Sequence, residues 1–215
     1  MALLCCLANV VRGGNFPGSA AYWENRYANG GNSGAGSYNN LAAFKAEILN
    51  AFVRDNNIHS IIEFGCGDGN QLSLVNYPDY IGFDVSVTAV KMCESRFAHD
   101  KTKRFYLMDG YNGQTAELTL SLDVMYHLIE DAVFDDYLRR LFSASTKYVI
   151  IYACDFDGTK TASHVKTRKF TASIEENIAD WELLRHIPNK YPYNARYPDE
   201  TSWSDFYVYG KKTAE

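Results

Sequence analysis

Apolar and polar positions along the chain fall into short blocks whose period switches repeatedly between helical and extended. From Asn40, a good helix N-cap, LAAFKAEILNAFVRDN places Leu41, Phe44, Ile48 and Phe52 at helical spacing and turns Lys45, Glu47 and Arg54 outward. HSIIEFGCG then reads as a short buried strand running into glycines, and NQLSLV as the start of a helix. YIGFDV (80–85) is a second strand, SVTAVKMCESRFA (86–98) a helix capped by Ser86, and RFYLMD (104–109) a third strand. ELTLSLDV (117–124) predicts a fourth strand. DAVFDDYLRRLF (131–142) is a helix with Val133, Tyr137, Leu138 and Leu141 inward, and KYVIIYAC (147–154) a fifth strand. Strict alternation of this kind builds a mainly parallel sheet with helices on both faces. The last third differs: helix TASIEENIA, strand WELLRHI and strand DFYVYGKK, with a turn-rich loop in place of a helix between the two strands. That predicts an antiparallel pair at one edge of a seven-stranded α/β sheet.

Composition narrows the class. The 215 residues suit one domain whose core needs no disulfide staples. A net charge of -5 argues against a phosphate-backbone footprint, so no nucleic-acid partner is expected. The longest apolar run, residues 1–8, is far short of the ~20 residues of a membrane helix. Five cysteines, an odd number with no C-x-x-C, fit neither a disulfide framework nor a structural zinc site, so a soluble protein of a reducing, cytoplasmic compartment is expected. The N-terminal MALLCCLANVV lacks the basic flank of a signal peptide. Residues 1–19 read as a tail and glycine-rich linker, either a loose end or the tail of a preceding domain, and 20–215 as the domain. Four glycines in NGGNSGAGS (29–37) demand a loop after YWENRY (22–27).

Ligands of such sheets bind beyond the carboxyl ends of the strands, where strand order reverses. The first strand delivers EFGCGDG (63–69) there, with Gly65 and Gly67 permitting close backbone approach and the following helix offering free N–H groups. A nicotinamide fingerprint would need glycine at position 70, which is Asn70. Glu63 puts a carboxylate where a pyrophosphate would lie, which suits a cationic ligand. Asp84 ends the second strand, placed to accept from both hydroxyls of a ribose, and Asp109 ends the third beside a candidate adenine pocket. Together they describe an adenosine with a positive tail and no phosphate.

In EFGCGDG, GFDVS, LMDG and SLDVMYHL, taken in order, the chain resembles the class I S-adenosylmethionine-dependent methyltransferases over roughly residues 20–210. The resemblance implies a Rossmann-like fold and S-adenosylmethionine as cofactor. Gly65, Cys66 and Gly67 would flank its methionine moiety, Asp84 and Val85 its ribose, and Asp109 and Gly110 its adenine. WENRY and NSGAGS also look like the flap (20–40) of small methyltransferases of polysaccharide biosynthesis, some of them fused to glycosyltransferases. That narrower likeness implies that Tyr22, Arg26, Ser33 and Ser37 cover the cofactor, with Arg26 on its carboxylate. It makes a sugar hydroxyl of a glycan the expected acceptor. A free small metabolite, methylated on N or O, and a noncatalytic cofactor-binding module are the alternatives.

An alcohol acceptor needs a base, and His127, one turn beyond Asp123, is the first candidate; Asp123 would position it or the cofactor. His164 is the second candidate. It lies in HVKTRKF, whose Arg168 and Lys169 would hold an anionic group of the acceptor. Tyr193, in the aromatic loop YPYNARYPDETSW, would stack a ring of the acceptor. Magnesium on Asp155 and Asp157 with His127 or His164 is a lesser expectation, and no dedicated metal site is assigned.

Overall fold

The computed structural model describes residues 16–158 and 162–213. The expected tail lies almost wholly outside them, with Cys5 and Cys6. Seven strands form one sheet: β1 (Ser60–Phe64), β2 (Asp79–Asp84), β3 (Lys103–Leu107), β4 (Ala116–Leu122), β5 (Ser145–Ala153), β6 (Trp181–Ile187) and β7 (Asp205–Lys211). Their spatial order is β3-β2-β1-β4-β5-β7-β6. β1 to β5 pair in parallel, while β7 runs antiparallel to both β5 and β6, so the expected antiparallel pair closes that edge. Order reverses between β1 and β4, and the site belongs there.

The sheet buries a separate apolar cluster on each face. Phe44, Leu49 and Val53 of α2 (Asn39–Asp55) and Val90 and Cys93 of α3 (Val87–Arg96) cover one. Phe134, Leu138 and Leu141 of α4 (Asp131–Ser143) and Phe170 and Ile174 of α5 (Phe170–Asn177) cover the other. As expected, Ser86 caps α3, its Oγ accepting the Ala89 N–H at 3.0 Å.

Four local expectations fail. NQLSLV makes only a single 3-10 turn, Leu72–Leu74, because Asn50 of α2 takes its backbone: Nδ2 donates to the Leu74 carbonyl and Oδ1 accepts the Asn76 N–H at 2.7 Å. Pro78 then forces the chain toward β2. Asn40 does not cap α2; the cap position is Tyr38, and Asn40 donates to the Glu200 carbonyl instead. Lys45 is fully buried, since the inward stripe is Leu41, Lys45, Leu49 and Val53, with Ile48 and Phe52 at its margin. Val133 is exposed, because α4 turns Phe134 inward in its place.

Candidate active site

An additional helix, α1 (Ser19–Ala28), lies over the carboxyl ends of the strands and is fixed at several points. Ser19 donates its N–H and Oγ–H to the Glu130 carboxylate, the latter at 2.6 Å. Glu24 reaches the start of α3, where Ser86 Oγ (2.6 Å), Thr88 Oγ1 (2.7 Å) and the Thr88 N–H (3.1 Å) all donate to it. Those hydrogen bonds hold the Glu24 carboxyl down at about 2. The glycine-rich loop after α1 is stitched to the β1 loop. The Ser33 N–H donates to Asp68 Oδ2 at 2.9 Å, and the Asp68 N–H returns a bond to Ser33 Oγ.

Beneath this cover lies a cavity of about 360 Å3, within the range of small-ligand sites. Its wall brings together Glu63, Gly65, Cys66, Gly67, Asp84 and Val85 from the ends of β1 and β2. Asp123 and His127 follow from beyond β4, and Ser33 and Ser37 from the cover. Gly65 and Gly67 have φ of +88° and +58°, and a Cβ at either would strike Val124 or Ser33. The Gly67 N–H donates to Asp84 Oδ2 and the Ser86 N–H to Asp84 Oδ1, both at 2.9 Å. Burial raises the Asp84 carboxyl to about 6. Burial likewise raises Glu63 to about 7, against the opposing effect of the Tyr80 hydroxyl, which donates to Glu63 Oε2 at 2.7 Å.

Past β4 the backbone turns through Asp123, at φ +60°, into a 3-10 turn, Met125–His127. Asp123 is held on both oxygens: Lys45 Nζ donates to Oδ2 at 2.5 Å, and the hydroxyls of Tyr126 (2.8 Å) and Ser204 (3.4 Å) donate to Oδ1. His127 Nδ1 lies 2.9 Å from the His164 carbonyl. A carbonyl only accepts, so Nδ1 carries the proton and Nε2 keeps its lone pair. Burial depresses His127 to about 4, which leaves the ring neutral. The His164 ring, itself depressed by burial, stacks between Tyr22 (4.4 Å) and His127 (5.6 Å) outside the cavity wall.

Several expected site residues lie outside the cavity wall. Asp109 and Gly110 are exposed and away from the cavity, because the chain enters a 3-10 turn at the end of β3 and presents Met108 instead. Arg26 donates through Nε to the Asn32 carbonyl at 2.6 Å and does not line the cavity, nor does Tyr22. Arg168 is not free for an anionic acceptor: it donates to the Leu128 and Ile129 carbonyls and to Asp131 Oδ1, and stands over the Phe134 ring at 4.5 Å. Lys169 is exposed, its N–H donating to Asp157. Asp155 takes two bonds from Thr171 at the start of α5. Among the described residues no three His, Cys, Asp or Glu side chains group as a metal site, so the magnesium expectation has no support. Tyr193 sits on the outer surface against Trp203. The sequence reading missed Lys45, Trp23, Tyr27, Asp68 and Met108. Asp68 had a signal in its place within the glycine loop, and Trp23 in WENRY.

The strand order with its reversed β7 is a fold shared with solved S-adenosylmethionine-dependent methyltransferases. Among solved structures, the N-methyltransferase NodS from Bradyrhizobium japonicum, in complex with S-adenosyl-L-homocysteine, superposes with a TM-score of 0.68 at 12% identity, covering 91% of this chain and 99% of that one. The methyltransferase domain of a bacterial Hen1 gives 0.62 at 17% identity, covering 81% of this chain and 100% of that one. Magnesium protoporphyrin IX methyltransferase, ChlM, from Synechocystis with bound S-adenosyl-L-homocysteine gives 0.61 at 12% identity, covering 79% and 83%. No protein-family model and no curated protein sequence matches the chain.

Proposed function

We propose that this domain, from residue 20 onward with its cover at 20–40, transfers a methyl group from S-adenosylmethionine to a sugar hydroxyl of a glycan or activated sugar. The observation that carries the cofactor reading is the buried acidic cradle: Glu63 and Asp84 on one cavity wall, with Gly65 and Gly67 leaving room that any Cβ would fill. Two buried carboxylates favour a cationic ligand over a phosphorylated one. Asp84 keeps lone pairs on both oxygens for the ribose hydroxyls, Glu63 faces the positively charged amino-acid end, and Met108 offers an apolar contact to the adenine. The cofactor supplies a sulfonium methyl that an aligned nucleophile displaces in line.

The chain's own part is alignment and proton removal. His127 is neutral, its Nδ1–H is bound by the His164 carbonyl, and Nε2 accepts the proton of the acceptor hydroxyl as the new O–C bond forms. Asp123 is held in place by the Lys45 ammonium and the Tyr126 hydroxyl. The α1 cover excludes water from the reaction. A fused or associated glycosyltransferase would supply the acceptor. The described cysteines, Cys66, Cys93 and Cys154, are all free thiols, which supports a reducing compartment such as the cytoplasm. No helix among the described residues is long and apolar enough to cross a membrane.

Calorimetric titration with S-adenosylmethionine and S-adenosylhomocysteine, followed by a labelled-methyl screen over glycans, nucleotide sugars, small alcohols and amines, tests the reading. Binding with transfer to a sugar is the expected result. Transfer to a free amine or alcohol would replace the acceptor, and binding without turnover on any acceptor would make the chain a noncatalytic module. Failure to bind either form would overturn the role of Glu63 and Asp84.

A further inference from the structure

The loop between β6 and β7 carries the most exposed large apolar side chain among the described residues, Trp203, with 60% of its surface open. Tyr193 stacks on it at 4.3 Å and 20°, and Phe156 meets it edge-on at 5.9 Å. These two rings are themselves 38% and 41% exposed. Exposed aromatic patches on otherwise well-packed proteins mark binding surfaces.

The backbone beneath this patch is tightly held. Asn189 Nδ2 donates to the Tyr152 hydroxyl (2.6 Å) and to the Ser204 carbonyl (2.9 Å), while its Oδ1 accepts the Tyr191 N–H (2.8 Å). The Ser202 N–H donates to the Tyr191 carbonyl at 3.0 Å, and the Asn194 N–H to Thr201 Oγ1 at 3.0 Å. Three rings are thus presented to water on a framework already ordered, which lowers the entropic cost of binding a ligand there.

Position links the patch to the active site. β7 is reversed, so Trp203, just before it, lies at the carboxyl end of the sheet, and Phe156 follows the end of β5. Ser204, next to Trp203, donates to Asp123 Oδ1. The patch therefore begins beside Asp123, yet none of its rings lines the cofactor cavity.

We propose that Phe156, Tyr193 and Trp203 form an acceptor subsite that stacks a neutral sugar ring of a glycan chain at least one unit away from the ring that is methylated. The proposal rests on the sugar-acceptor reading above. A pyranose has a flat, weakly positive C–H face suited to the face of Trp203 that Tyr193 does not cover, with hydroxyls at its edge for water. Residues 188–204 carry Lys190 and Arg196 against Asp199 and Glu200, and Phe156 lies between Asp155 and Asp157, so the patch has no excess positive charge with which to hold an anion. None of the three rings lines the cavity, so the proposal places the stacked ring and the methylated ring on different units of an oligosaccharide or polymer.

The test is a printed glycan array probed with fluorescently labelled full-length protein in the presence of S-adenosylhomocysteine, using wild type, Trp203→Ala and Phe156→Ala. Calorimetry with S-adenosylhomocysteine establishes that both variants are folded, since neither residue touches the cofactor cavity. Expected is wild-type binding to a neutral oligosaccharide class, weakened about tenfold or more in each variant, the loss that follows removal of one stacking contact. The bound oligosaccharide should compete and its free monosaccharide should not. Undiminished binding by both variants would overturn the platform and leave the sugar acceptor standing, and equal competition by the monosaccharide would overturn the multi-ring requirement. A wild type that binds S-adenosylhomocysteine and no glycan would overturn the platform together with the sugar acceptor.

Discussion

Lys45 and Asp123, 78 positions apart, form an ion pair of 2.5 Å in which the ammonium is wholly buried and the carboxylate lines the cavity. The ammonium also lies 5.1 Å from the centre of the Tyr152 ring. A buried lysine is tolerated only with a partner, and here the pair holds one carboxylate of the site in a set orientation. Lys45→Met should strand that carboxylate and lower stability by about 3 to 5 kcal/mol. Urea unfolding measures it, and the double change with Asp123→Asn should recover part of the loss. No loss in the single variant would contradict the pair.

His127 is expected to act as a base without titrating near neutrality. With the ring depressed to about 4, kcat at saturating S-adenosylmethionine should show no inflection near 6.5, while Glu63, at about 7, and Asp84, at about 6, act on cofactor affinity. His127→Ala should reduce turnover about 100-fold or more while S-adenosylhomocysteine affinity stays within a few-fold. Rate against pH, with the acceptor returned by the labelled-methyl screen, decides the matter; a clear limb near 6.5 assigns the base elsewhere.

Glu63 makes stability pH-dependent in a definite direction. Its folded value, about 7, lies above the ordinary 4.5, so its contribution is present below 4.5 and is lost as pH rises through 7. The full loss is about 3 kcal/mol. His127, depressed by burial, acts in the opposite sense between 6.5 and 4, so the cleanest measurement is the difference between wild type and Glu63→Gln. The glutamine should gain on wild type in unfolding free energy from pH 4.5 to 8. A difference independent of pH would remove the buried protonated carboxyl.

Arg168 should matter to folding and not to acceptor charge. It ties two carbonyls before α4 and the Asp131 carboxylate, which Lys166 and Arg168 together hold at about 2. Arg168→Ala is expected to cost about 1 to 3 kcal/mol, the range for stranded polar partners. The Michaelis constants for neutral and anionic acceptors should change alike. A selective rise for anionic acceptors would restore its role as an anion contact.

The sequence alone was enough for the alternation of strands and helices, the antiparallel edge, the glycine loop, and the placing of Glu63, Asp84, Asp123 and His127 at strand ends. These features are local: side-chain period and the backbone freedom of glycine are written within a few residues. Lys45 leaves a legible trace too, as the one charge on the stripe Leu41, Lys45, Leu49, Val53, but helical spacing fits Leu41, Phe44, Ile48 and Phe52 equally well and turns Lys45 outward. Only the tertiary structure decided that this lysine meets Asp123, that Arg168 closes on α4, that Asp109 turns outward, and that the segment after β1 is held by Asn50 as a single turn. Apart from Asp109, which the 3-10 turn after β3 exposes, each outcome depends on polar groups distant in sequence meeting in the fold. Which partner wins is set by burial, because a buried donor or acceptor left unpaired costs more than most local preferences can offset.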